Sequence, residues 1–227
     1  SGTCTLDINE GEYQYVGLRS NSGAVYLRAI SFTWELTSKG QSIQTIQNLD
    51  TNNKLDYEFT YNEETSEYAF DDIEMRLGGK ITLSDWNNIK SSVTEYGVVA
   101  IYDEFLDEEF TSLREALDYA LSCGNGDEEF AEVVDLVDYA MLVNVYGNDP
   151  YQMNENDTDY VLFNGVLDID DMEEASWYVR AVAYVIVDNQ PIFLQEVRKS
   201  AKSLAEEYKT NAEKLALYGE SLNAFAA

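Results

Sequence analysis

The 227-residue chain contains no histidine. That excludes Ser–His–acid and Cys–His catalysis, His-Glu-x-x-His zinc sites and every His-ligated metal. Its two cysteines, Cys4 and Cys123, are too few for a structural zinc site. Two prolines leave no room for a Pro-rich linker, and no low-complexity tract or internal repeat is evident. No apolar run is long enough to span a bilayer, which predicts no membrane insertion. Neither a Gly-x-x-x-x-Gly-Lys-Ser/Thr loop nor a Gly-x-Gly-x-x-Gly turn occurs, so phosphate cradling has no support. The opening Ser1-Gly2-Thr3-Cys4 reads as a processed start, a trimmed start or the scar of a tag, and says nothing about export.

Basic residues are scarce as well. Fourteen Lys and Arg stand against 43 Asp and Glu, a formal charge of −29. Residues 56–174 hold 32 acids and 4 bases, and so carry −28 of that total. A field of this sign repels nucleic-acid phosphates, which predicts no nucleic-acid partner. It leaves a solubilising surface, a divalent-cation site or a basic partner as readings of the acidic middle. With so many acids, carboxylate pairs arise by chance, and glycoside hydrolysis stands only as the enzyme alternative.

What is present is a folded composition: 45% hydrophobic and 13% aromatic residues. Strand alternation marks the first third, in "EYQYVGLR", "AVYLRAISFTWELT", "KLDYEFTYN" and "EYAFDDIEMRL". The last two are separated by the polar turn "NEETS", and "LGGK" closes the hairpin region. "LSDWNNIKSSV" predicts a short helix capped by Ser84, and "YGVVAIYDEF" predicts a strand. "TSLREALDYALSCG" has Ser112 and Glu115 in capping-box spacing and a stop at Gly124. "DEEFAEVVDLVDYAMLVNVYG" places Phe130, Val133, Val134, Val137, Ala140 and Met141 on one helical face, with a stop at Gly147. These two segments predict an αα-hairpin inserted at about residues 111–147. "DYVLFNGVLDI" returns to a strand.

The segment from Trp177 to Val197 should be the centre of the core. "WYVRAVAYVIV" is apolar on both faces, as a doubly covered strand would be, and "DNQP" turns it back into "IFLQEV". Arg180 interrupts it and is expected to pair with a carboxylate across the sheet. Beyond it, Val197, Ala201, Leu204, Tyr208, Asn211, Leu215, Tyr218, Leu222 and Phe225 form a 4-3 seam. A continuous helix from Val197 to Phe225 would reach roughly 42 Å. Its distal part, with Asn211, Leu215, Tyr218, Leu222 and Phe225, is therefore expected to dock on another protein subunit, with Asn211 fixing the register. The plainer alternative packs the seam back on its own sheet.

The ordered set "GGKITLSDWNNIKSSVTEYGVVA", "YVLFNGVLDI" and "YVRAVAYVIVDNQPIFLQEVRKSAKSLAEEY" resembles a β-rich module of secreted surface proteins and phage virion proteins associated with Firmicutes and Mollicutes. The resemblance covers roughly residues 70–208 and departs at "VDNQP", where the module's turn carries Gly. It implies an extracellular or virion-exposed, non-enzymatic module and transfers no active site.

The remaining candidates are weaker signals. "DTNNKLDYE" spaces Asp50, Asn52 and Asp56 alternately, but Lys54 and a missing Gly spoil an EF-hand loop. Asn154, Asn156 and Asp159 in "NENDTD", and Asp168, Asp170 and Asp171 in "DIDD", are candidate calcium ligands; the plainer reading of each is solvated loop charge. Asn156-Asp157-Thr158 is a glycosylation sequon. Trp34, Trp86 and Trp177, with 17 Tyr, could offer sugar-stacking platforms or fill the core. Cys4 and Cys123 either bridge or remain buried thiols.

The expected fold is α+β: an antiparallel β-sandwich-like core over residues 1–198 with the helical insertion, then a long C-terminal amphipathic helix over 199–227. The expected function is a structural or surface-display protein of a virion or cell envelope, acting through protein–protein assembly. A carbohydrate-binding or adhesion module that takes glycans is the runner-up.

Overall fold

The computed structural model describes residues 53–124, 128–143 and 160–227. Two antiparallel sheets and several short helices form the fold, an α+β architecture as expected. The strands expected in the first 50 residues, with Cys4, Trp34, Asp50 and Asn52, lie outside the described residues, as do Asn154, Asn156 and Asp159.

The first sheet has the order β1-β2-β5, with β1 at Lys54–Asn62, β2 at Glu67–Thr82 and β5 at Tyr160–Ile169. Its buried face carries Leu55, Ile73, Met75, Leu77, Ile81, Val161, Phe163, Leu167 and Ile169, the alternate residues of each strand. Strand β2 runs straight through Gly78 and Gly79 instead of ending there. A Cβ on Gly78 would lie 1.7 Å from the carbonyl oxygen of Phe163, so only glycine admits so close an approach of β5. A helix, α1 (Leu83–Ile89), follows at once. Its N-cap is Thr82, whose Oγ1 accepts from the Asp85 amide at 3.1 Å, two residues earlier than the expected Ser84.

The second sheet is built on β3 (Val93–Tyr102) and β6 (Val179–Val187). β4 (Met141–Val143) lies outside β3; β7 (Gln190–Phe193) and β8 (Val197–Lys199) both pair with β6. Strand β6 is apolar on both faces because each face has its own cover. Val179, Ala181, Ala183, Val185 and Val187 join the core shared with the first sheet. Val182, Tyr184 and Ile186 face a second core, closed by Leu113, Leu117, Phe130, Val133 and Val134. Those five lie on α2 (Leu113–Cys123) and α3 (Phe130–Asp135). The β6–β7 turn is Asp188-Asn189, with φ of 53° and 63°. Two consecutive positive φ values make a primed hairpin turn, and Asp and Asn tolerate them where most side chains do not.

Helix α2 starts at Ser112, whose Oγ accepts from the Glu115 amide at 3.1 Å, and stops at Gly124, as expected. The second arm of the expected αα-hairpin is much shorter than its sequence pattern. It ends at Asp135, Tyr139 takes a φ of 63°, and Met141–Val143 pairs with β3 as β4. Pairing with the open edge of β3 overrides the helical period of that stretch.

The C-terminal segment is not one long helix. It breaks into α4 (Ala201–Tyr208), α5 (Ala212–Tyr218) and α6 (Ser221–Ala226). Asn211 lies in the break with extended backbone, and its Oδ1 accepts from the Glu213 and Lys214 amides at 3.0 and 3.1 Å. Its role is an N-cap rather than a register-fixing seam position. Gly219, at φ +56°, ends α5. The three short helices fold back over β1, and residues 199–227 share the first core instead of forming a separate unit.

Candidate interaction surface

Beyond its root, the β1–β2 hairpin projects past the buried part of its sheet: from Glu58 to Glu67 every residue is exposed. The change occurs at a bulge. Asp56 pairs with Glu74 and Glu58 with Asp71, so β2 has one more residue than β1 between them. Asp72 sits there with a φ of 46°. On the core side of the bulge, Tyr57 is buried and stacks on Phe225 (4.4 Å between centroids) and Tyr218 (4.6 Å). On the far side, Phe59 faces Phe70 and Tyr61 faces Tyr68 across the strands. These four rings share one face of the arm. Tyr61 and Tyr68 lie 4.8 Å apart, and Phe70 meets Tyr57 edge-on at 5.5 Å. The aromatic row thus leaves the core and continues into solvent, with Phe59 39% and Tyr61 50% exposed. At the tip, Asn62 Oδ1 accepts from the amides of Glu64 and Thr65 and closes the turn.

The other face is polar and of one sign. From Leu55 to Met75 the chain has eight Asp or Glu and no Lys, Arg or His. At the arm's root, Asp71, Asp72, Glu74 and Asp168 line a shallow depression with Phe70. Glu74 and Asp168 are directly opposed on neighbouring strands, and Arg76 offsets the repulsion by pairing with Glu74.

Among the described residues, β1 is the edge of its sheet, and its first part is capped from outside. The Tyr208 hydroxyl accepts from the Leu55 amide at 2.8 Å. The Tyr218 hydroxyl donates to Asp56 Oδ1 at 2.9 Å and lies 3.3 Å from the Leu55 carbonyl oxygen. Burial and the adjoining Asp56 carboxylate push the Tyr218 phenol well above its ordinary range, so it stays a donor. From Tyr57 to Asn62, the β1 backbone bonds to no described residue outside the hairpin.

These positions change the reading of the expected docking residues. Tyr218, Leu222 and Phe225 are buried in the chain's own core; Leu215 remains exposed, and Asn211 caps α5. The seam is intramolecular because the break at Asn211 lets its distal half fold back on β1.

The "DIDD" carboxylates do not converge. Asp168 points outward from β5, and Asp171 Oδ1 accepts from the Glu173 and Glu174 amides at 2.8 and 2.9 Å. The Asp170 amide donates to Glu174 Oε2 at 2.7 Å. Among the described residues, no three carboxylates or thiols gather in a way that could hold a metal ion. Cys123 is an exposed free thiol at the end of α2; Cys4, the other half of the candidate bridge, lies outside the described residues. Trp86 is core, packed against Tyr96 and Phe163. Trp177 is 41% exposed.

Arg180 meets its expectation. It pairs with Asp103, just beyond the end of neighbouring β3, and with Glu196 at 3.0 Å, and it donates to the Thr111 carbonyl at 3.0 Å. Arg198 reaches the same Asp103 at 2.6 Å. Hydrogen bonds from Arg198 and Arg180 hold the Asp103 carboxyl below the usual range.

No family model matches the chain, and no curated protein or solved structure is detectably similar to it. Among the described residues, no helix is long and apolar enough to cross a membrane.

The aromatic face of the arm was missed in the sequence. The alternation of "YEFTY" with "YAF" carried the signal, since it puts Tyr57, Phe59, Tyr61, Tyr68 and Phe70 on one face. Alternation alone does not tell a covered face from an open one.

Proposed function

We propose that this is a non-enzymatic structural or surface-display protein of a virion or cell envelope, acting by protein–protein assembly. The observation that carries the proposal is the arm: a cross-strand aromatic face that runs out of the core and stands exposed. Contiguous exposed apolar surface rimmed by polar groups is the usual mark of an interaction site. Aromatic side chains supply most of the energy of such contacts. The resemblance over residues 70–208 supports an extracellular setting.

A photo-crosslinking residue at position 61, in the full chain within its native particle or envelope, tests this reading. Cross-links to a second protein molecule are expected. Cross-links that stay within the chain, or none at all, would overturn it.

The glycan-binding alternative has its own observation. Exposed Trp177 meets Tyr102 edge-on at 5.7 Å, and Tyr102 meets Phe105 edge-on at 6.3 Å, a small aromatic cluster that includes none of the arm's rings. Binding on a glycan array that is lost in Trp177→Ala would put carbohydrate recognition first.

A further inference from the structure

We propose that the arm's β1 edge accepts an extended, basic segment of a partner protein as an added strand. The inference rests on the assembly reading and specifies the partner's chemistry.

The first argument is the edge itself. Along an edge strand, alternate residues aim N–H and C=O outward, and proteins normally guard that row with Lys, Pro, a bulge or a cover. Here the cover stops early. Tyr208 and Tyr218 cap Leu55, and no described residue outside the hairpin bonds to the backbone from Tyr57 to Asn62. That stretch contains no Lys or Pro, and the bulge lies on β2, away from the open edge. A strand added there would gain main-chain hydrogen bonds with little rearrangement of the sheet.

The second argument is what the new strand would meet. Its side chains would alternate between the two faces of the arm. On one face they would lie beside Phe59 and Tyr61, which favours apolar or aromatic residues. On the other they would lie beside Glu58, near Asp71 and Asp72, which favours Lys or Arg.

The third argument is exclusion by charge. A second copy of this chain would bring its own −29 and the same eight acids without a base between Leu55 and Met75. Like charges along neighbouring strands are destabilising, and the net field opposes the encounter. The acids thus protect the edge from self-pairing while drawing in a segment of opposite sign.

The test uses the full chain and synthetic peptides in which Lys alternates with Val or Tyr. Controls are the same peptide with Glu for Lys, and one with Pro at alternate positions. Binding is read by fluorescence anisotropy at low and at physiological salt, and contact by hydrogen exchange of the β1 amides. The Lys peptide should bind, slow exchange between Tyr57 and Asn62, and weaken with salt. The Glu and Pro peptides should bind about tenfold more weakly or not at all. Glu58→Lys should weaken the Lys peptide about tenfold with the melting temperature nearly unchanged, because the side chain is exposed. Phe59→Ser with Tyr61→Ser should abolish binding while leaving the core transition in place.

Equal binding of the Pro peptide would overturn strand addition, and equal binding of the Glu peptide would overturn the charge rule. β1 amides already protected in the free protein would show that the chain covers its own edge, which also overturns the inference. Cross-links from position 61 to a second protein, together with failure of every peptide, would sink only this inference. Absence of such cross-links would sink the assembly reading beneath it.

Discussion

Deleting residues 211–227 should unfold the protein or free β1 from it. The deletion removes three side chains buried in the first core: Tyr218 at 6% exposure, Leu222 and Phe225 at 0%. Phe225 stacks on Tyr57 with an interplanar angle of 15° and meets Phe70 edge-on at 5.0 Å. Truncating a buried Phe to Ala removes ~3–5 kcal/mol, and a buried Leu ~2–5 kcal/mol. The loss from Phe225 and Leu222 together is on the order of 8 kcal/mol, comparable with the whole stability of a typical domain. The residues touch one another, so the terms will not add strictly. Phe225→Ala alone is the graded test: ~3–5 kcal/mol corresponds to a fall in Tm of roughly 6–20 °C for a chain of this size. Tyr218→Phe, which keeps the stacked ring and removes the hydroxyl bonds to Asp56 and Leu55, should lose about 1 kcal/mol. Thermal melts by far-ultraviolet circular dichroism read all three. A truncated protein with a cooperative transition within a few degrees of the full chain would refute the reasoning. The C-terminal helices would then be a detachable arm.

Four further outcomes follow from named contacts. Asp103 has a lowered folded pKa, so its pairing with Arg198 and Arg180 stabilises the protein above the ordinary value of 3.8. That contribution fades as pH falls through the lower folded value, so the Tm difference between wild type and Asp103→Asn should be large at neutral pH and vanish in strong acid. Gly78→Ala should be severely destabilising or fail to fold, since its Cβ would strike the Phe163 backbone; a soluble variant with an unchanged melt would show that the strands can separate there. Asp168→Asn should leave any effect of calcium on the melting temperature unchanged, because Asp168, Asp170 and Asp171 do not converge; a calcium-dependent rise that this variant loses would show that they bind the ion. Alkylation of the folded protein without reductant should label Cys123, as mass spectrometry of the tryptic peptides will show; an intact Cys4–Cys123 peptide pair would contradict the free thiol.

Much of the fold was legible in the sequence because it depends on local periodicity. The apolar run of β6 beyond Arg180 required cover on both faces and has it, from the first sheet on one side and from α2 and α3 on the other. The spans of β1 and β5, the Ser112 cap, the Gly124 stop and the Asp188-Asn189 turn follow equally from short-range rules. Arg180, an isolated charge in an apolar strand, implied its carboxylate partners.

What tertiary structure decided was competition between alternatives that local rules leave close in energy. Met141–Val143 fits a helix face or a strand, and the open edge of β3 selects the strand. Gly78 and Gly79 resemble a stop until β5 pairs alongside them and presses its backbone against Gly78. Asn211 satisfies a 4-3 seam or caps a new helix; the apolar side chains beyond it are buried sooner by folding back on β1 than by running on into water. That choice moved Tyr218, Leu222 and Phe225 from a presumed interface into the core. Whether an aromatic face is covered depends on how far a sheet extends past its neighbours, a three-dimensional property that strand alternation does not encode. The arm from Glu58 to Asp71 therefore emerged from the fold, although every residue of its pattern was already in the sequence.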